Sequence, residues 1–175
     1  NPMLRELHIT NLALIEDITI ELHDGFNCFT GQTGAGKSLI LGAFEILLGL
    51  KAIKTAQLIR PQAQEARVSG VFEIQNAQLL NEIAQTLDQP LEPSEPLLLV
   101  RKLFVSGRTA VHVNGQPVTA AMVRSISELL VDIHGQHDHQ YLLLLLFLLS
   151  VSQRGYFLCL LYFYISQKVQ LLHCH

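Results

Sequence analysis

Three features of the sequence predict an α/β fold built around an anion-binding loop. A glycine-rich stretch occupies residues 31–38, a strand-like run precedes it with a helix-like run after, and two alternating segments lie ahead of both. Leu4 to Ile9 alternates with Leu7 and Ile9 on one face, Asn11 marks a turn, and Ile15 to Leu22 is β-rich at Ile18, Ile20 and Leu22. His23-Asp24-Gly25 turns the chain into a short buried strand, Phe26 to Thr30. Two antiparallel strands are therefore expected before the glycine loop. A helix is expected from Gly36 to Leu48, with Gly49 as its C-cap.

Beyond that helix, Lys51 to Gln64 has weak periodicity and reads as a loop with a short helical turn. Ala66 to Ile74 is a predicted strand. Gln78 to Leu87 is a predicted helix with Leu79, Leu80, Ile83, Ala84 and Leu87 on one stripe. Pro90, Pro93 and Pro96 mark an exposed loop. Leu97 to Val105 and Thr109 to Val113 are predicted strands joined at Ser106-Gly107-Arg108, and Asn114-Gly115 is a hairpin turn. Thr119 can cap a helix through about Ser127. Leu129 to Ile133 can extend that helix or form a buried strand, and the strand is the preferred reading.

The glycine stretch is Gly31-Gln32-Thr33-Gly34-Ala35-Gly36-Lys37-Ser38, which fits the phosphate-binding pattern G-x-x-x-x-G-K-[ST] of P-loop NTPases. In a chain of this length a chance match is expected on the order of 0.01 times. Glycines let successive N–H groups point at one anion. The Lys37 ammonium is expected on the β- and γ-phosphates of a nucleotide, the Ser38 hydroxyl on Mg²⁺, and the following helix aims its positive end at the same phosphates.

The chain has 175 residues, 49% hydrophobic and 15% charged, with a net charge of −3. That length suffices for one cored domain, and that charge gives no electrostatic case for nucleic-acid binding. Cys28, Cys159 and Cys174 have no metal or redox spacing, which suits a reducing cytoplasm, and no signal peptide opens the sequence. Asn1-Pro2 precede Met3, where the natural start is expected.

Composition changes at Tyr141. Residues 141–175 contain no Asp or Glu and two basic residues, Arg154 and Lys168. A single spanning helix would bury Arg154 near its middle, at high cost. A partner-covered helical hairpin is the second reading. The third, preferred because surface charge vanishes at one point, is an apolar tail that did not evolve with the domain, such as an out-of-frame or chimeric end.

Phosphoryl transfer also needs an acid for Mg²⁺ and a group to place the attacking water. Leu129-Leu130-Val131-Asp132 has the form of a Walker B strand end, although no glutamate follows, and Asp132 to Gly135 also fits D-x-x-G. The bland reading of Asp132 is a turn aspartate. His134, His137, Asp138 and His139 match no zinc spacing. Gln136, in a polar loop after an apolar run, can accept from a magnesium-bound water and orient the attacking one.

Several stretches together resemble a known family. Leu4 to Ile15, Phe29 to Ser38, Ile59-Arg60, Val113 to Val118 and Val131 to His137 are similar to the N-terminal half of the ATPase head of RecN, a bacterial DNA-repair ATPase family related to the structural-maintenance-of-chromosomes (SMC) proteins. The resemblance implies an ABC-type head lobe over residues 3–140, with a mixed sheet and antiparallel strands, and leaves 141–175 outside the family fold. It implies ATP and Mg²⁺ as cofactors. Gln136 takes the place of the Q-loop glutamine and of a magnesium ligand, Arg60 that of an arginine reaching the nucleotide phosphates, and Asp132 is then not Walker B. The implied partners are a C-terminal head lobe, in cis or in trans, and DNA in the full-length protein. The signature motif, Walker B pair and catalytic glutamate of the family have no counterpart here, so ATP binding without efficient turnover is expected. The alternatives are a self-contained small NTPase or kinase using Asp132, and a non-enzymatic fragment driven to membranes by its tail; two antiparallel strands before the loop favour the RecN-like head lobe.

Overall fold

The computed structural model describes residues 2–24, 35–50 and 57–130, the first four of α1 by their backbone alone. Six strands, β1 (Pro2–Leu12), β2 (Ile15–Glu21), β3 (Glu65–Ile74), β4 (Leu97–Phe104), β5 (Thr109–Val113) and β6 (Gln116–Val118), form one sheet in the order β2-β1-β3-β4-β5-β6. Three helices, α1 (Ala35–Leu48), α2 (Ala77–Leu87) and α3 (Ala120–Leu130), accompany the sheet among the described residues. Every strand pairing among the described residues is antiparallel. The pre-loop stretch 26–30, expected as a strand, lies outside them.

The core follows from the phase of alternation. Leu7, Gly70, Leu99 and Val113 form one cross-strand row, and Ile9, Val68, Arg101 and Val111 the next. These rows face the helices: α1 packs on β1, β3 and β4, while α2 and α3 pack on each other and complete the layer. In β1 the buried positions run Leu4, then Leu7 and Ile9, because a bulge between Leu4 and Glu6 shifts the register and flips the phase. Strand β2 is an edge strand and mostly exposed. Glu16, Asp17 and Glu21 along it discourage pairing with another chain.

Local chemistry sets the ends of the elements. Asn76 caps α2, its Oδ1 accepting from Gln78 N (2.9 Å) and Leu79 N (3.1 Å). Thr119 caps α3 as expected, its Oγ1 accepting from Met122 N at 3.2 Å. At the hairpin, Asn114 (φ 47°) and Gly115 (φ 82°) both take left-handed conformations, the pattern of a type I′ turn. Asn114 also reaches β4: its N–H donates to Leu98 O (2.9 Å) and its Oδ1 accepts from Leu98 N (2.8 Å).

One element boundary is corrected. Leu129 and Leu130, expected to open a buried strand, are helical residues of α3. Val123, Ile126, Ser127 and Leu130 share one buried stripe, so the helical period outlasts Ser127. Residues 131–133 lie outside the described residues, as do the cysteines, the histidine cluster and the whole of 141–175. Among the described residues no helix is long and apolar enough to cross a membrane.

Candidate functional site: the phosphate-loop helix and its supports

Helix α1 begins at Ala35, inside the glycine motif, so Ala35, Gly36, Lys37 and Ser38 occupy its first turn. The first four N–H groups of a helix have no partner within it, and the dipole adds positive potential there. No acidic residue stands in that turn to compete for those donors. The residues present therefore fit a phosphate chain. Gly31, Gln32, Thr33 and Gly34 lie outside the described residues, and so do Asp132 and Gln136.

The Leu47 side chain of the helix sits directly over Gly70 of the sheet. A Cβ placed on Gly70 of β3 would come within 2.7 Å of Leu47 Cδ2, 3.1 Å of Leu4 Cδ1 and 3.2 Å of Phe72 Cε2. Glycine at 70 is thus what lets the C-terminal half of α1 settle onto β1 and β3. Leu47 and Leu48 are fully buried in that contact.

The far end of α1 closes in a Schellman motif. Gly49 takes φ +71°, its N–H donates to Ile46 O (3.1 Å), and Leu50 N–H donates to Glu45 O (3.0 Å). The Ser127 hydroxyl of α3 lies 2.7 Å from Leu48 O and equally 2.7 Å from Val123 O, and can donate to either. The Arg101 guanidinium of β4 covers Gly49: a Cβ there would be 3.0 Å from Nη2, 3.7 Å from Cζ and 3.8 Å from Nη1. Arg101 is only 7% exposed, and its Nε has no hydrogen-bond partner. Burial pushes its pKa down from the ordinary arginine value.

Arg60 is held at the β1–β2 turn. Ile59 bridges Leu12, Ala13 N–H donates to Leu58 O (2.6 Å), and Arg60 N–H donates to Asn11 O (2.9 Å). The Arg60 guanidinium meets Glu16 Oε2 at 3.1 Å and Leu14 O at 3.4 Å. With side chains 38% and 77% exposed, that pair is solvated and weak, and the guanidinium can exchange partners. On the face of the sheet turned away from the helices, Arg5 joins β1 to Glu73 of β3 and to Asp24, each at 2.6 Å. The Gln75 amide and then the Arg5 guanidinium hold the Glu73 carboxyl below its ordinary pKa.

Sequence reading missed Arg101 and Ser127. The signals were present: Arg101 is in phase with Leu97, Leu99 and Leu103 of β4, and Ser127 interrupts the apolar stripe of α3. A polar residue on a core face needs a reason.

Comparison with known proteins agrees with this geometry. Residues 6–78 match a family model described as an AAA domain. The DNA repair protein RecN of Bacillus subtilis is 36% identical over 142 residues, covering 81% of this chain and 24% of that protein. The chain therefore spans about a quarter of the length of the curated relatives it matches. Among solved structures, the Smc head domain with coiled coil and joint from Pyrococcus yayanosii aligns with a TM-score of 0.61 at 22% identity, covering 81% of this chain and 29% of that one. A chain from work on ATP-driven dimerization and DNA-stimulated activation of SMC ATPases aligns with a TM-score of 0.58 at 20% identity, covering 85% of this chain and 96% of that one. The N-terminal region of this chain is a homologue of RecN, and its fold is that of an SMC-type P-loop ATPase head.

Proposed function

We propose that this chain is the ATP-binding lobe of a RecN-like ATPase acting in DNA double-strand-break repair and recombination, incomplete for hydrolysis by itself. The observation that carries the reading is the run Gly31–Ser38 entering α1 at Ala35 with no acid in the first turn, on a lobe of antiparallel strands. In this reading residues 3–140 are the lobe and 141–175 a tail outside it. Gly31, Gln32, Thr33, Gly34, Ala35 and Gly36 supply backbone donors, and Lys37 supplies charge to the β- and γ-phosphates. Ser38 and Gln136 would hold Mg²⁺, which would neutralise charge on the phosphates. Gln136 also orients the attacking water, and Arg60 swings from Glu16 to the nucleotide.

Positioning and electrostatic closure carry most of the rate in this chemistry. The sequence has no water-activating glutamate after an apolar run and no signature loop. A C-terminal head lobe is the partner that would supply both, DNA is the partner of the complete protein, and the setting is the cytoplasm. The test is ATP binding by calorimetry, with steady-state phosphate release measured alongside. Lys37→Ala should abolish most Mg²⁺-dependent binding, because a charge-assisted contact is lost. The unsubstituted chain should release phosphate near background. Equal ATP affinity in Lys37→Ala would overturn the phosphate-loop assignment. Turnover on the order of 1 s⁻¹, lost in Asp132→Asn, would establish the self-contained NTPase instead.

A further inference from the structure

Among the described residues, the buried polar side chains are Ser69, Arg101 and Ser127. Two of them, from different elements and distant in sequence, meet at one place, the C-terminal end of α1. The Schellman motif uses the carbonyls of Glu45 and Ile46, and among the described residues no backbone N–H beyond the helix donates to Leu48 O. Ser127 of α3 reaches it at 2.7 Å. Arg101 lies across Gly49 at the same end, where the negative pole of the helix favours a cation.

Packing alone does not account for Arg101. No carboxylate among the described residues pairs with it, and its Nε is unsatisfied. A buried charge without an anionic partner opposes folding, and a methionine would fill the same space between Val68 and Val111 without that cost. The arginine is accounted for by the helix end that it covers.

We propose that Arg101 and Ser127 are positioning residues for nucleotide: they clamp the C-terminal end of α1 and so fix where Lys37 and Ser38 stand at its other end. A helix of 14 residues is roughly 20 Å long, so a tilt of about 3° moves the far end by about 1 Å. Misplacement of that size is enough to weaken phosphate contacts severely. Ser127 adds a second consequence. The described part of α3 runs to Leu130, six positions before Gln136 in the sequence, so a Ser127 hydroxyl donating to Leu48 O ties the helix bearing Lys37 to the one that precedes Gln136 in the chain. The inference rests on the phosphate-loop reading given above.

The test uses the full 175-residue chain, Mg·ATP as ligand, calorimetric affinity and thermal melting. Arg101→Met should keep or raise the melting temperature and yet weaken Mg·ATP affinity by roughly tenfold. Ser127→Ala should weaken it by roughly fivefold to tenfold, and Ser127→Thr, which keeps the hydroxyl, should restore it. Loss of affinity at undiminished stability is the readout that a merely structural role would not produce. If Arg101→Met and Ser127→Ala bind Mg·ATP as tightly as the parent, or weaken only as far as they unfold, the clamp is refuted. Should Ser127→Ala fail to fold, Arg101→Met decides. Absence of Lys37-dependent binding in the parent would overturn the phosphate-loop reading itself, a result distinct from normal binding by clamp variants.

Discussion

Gly70→Ala tests how tightly α1 is seated. The added methyl would lie 2.7 Å from Leu47 Cδ2, where ordinary carbon contact is about 3.5–4 Å. Leu47 must therefore yield by roughly 1 Å, and the methyl is also tight against Leu4 and Phe72, at 3.1 and 3.2 Å. Overpacking of this kind costs about 1–3 kcal/mol. Alanine regains about 0.5–1 kcal/mol over glycine inside a strand. The net expectation is a destabilisation of about 0.5–2 kcal/mol, read as a lower urea midpoint at unchanged slope. Leu47→Ala alone should cost about 2–5 kcal/mol through its cavity. Combined with Gly70→Ala it should cost clearly less than the sum, since the new methyl occupies part of that cavity. A Gly70→Ala protein as stable as the parent, or strict additivity in the double variant, would show that α1 does not rest on β3 as described.

Three further outcomes are expected. Gly49→Ala should lower stability by about 1–2 kcal/mol in urea titration, because φ +71° strains any L-residue and the methyl also meets Arg101. Asn76→Ala should cost about 1 kcal/mol by thermal melting, through loss of two capped N–H groups on α2. Because the folded-state pKa of Glu73 is lowered, its contribution is present above the ordinary glutamate value of 4.5 and is lost as pH falls through the lowered one. An acid titration of stability should therefore show a loss in the parent below that value that is reduced in Glu73→Gln.

Much of this lobe was legible because its signals are local. The Asn114-Gly115 turn, the Thr119 cap, the Gly49 cap and the stripe of α2 each depend on residues a few positions apart, and each stands where periodicity and turn chemistry placed it. The glycine motif is equally local. The misreading at Leu129–Leu130 has a physical cause: a short apolar run reads alike as buried strand or buried helix end, and only the packing of α3 decides. The pairing of Ser127 with Leu48 was illegible for another reason, although the polar residue itself stood out. Ser127 and Leu48 are 79 positions apart, and nothing in either local pattern names the other. The bulge in β1 likewise shows only once β1 is paired with β3.

The strand order has a kinetic consequence. β1–β2 and β4–β5–β6 are joined by short turns and can form as independent hairpins on a microsecond scale. The β1–β3 seam is different: Leu7 pairs with Gly70, so closing it must gather the whole intervening chain, including the glycine loop and α1. Loop-closure entropy delays such pairings relative to the local ones. The glycine-rich segment is thus carried inside the largest loop that this sheet closes among the described strands. A bound nucleotide would act as a strap across that loop, slowing reopening of the seam more than fraying of either hairpin. Amide exchange along β1 and β3 would then respond to nucleotide well before exchange at the β5–β6 turn does.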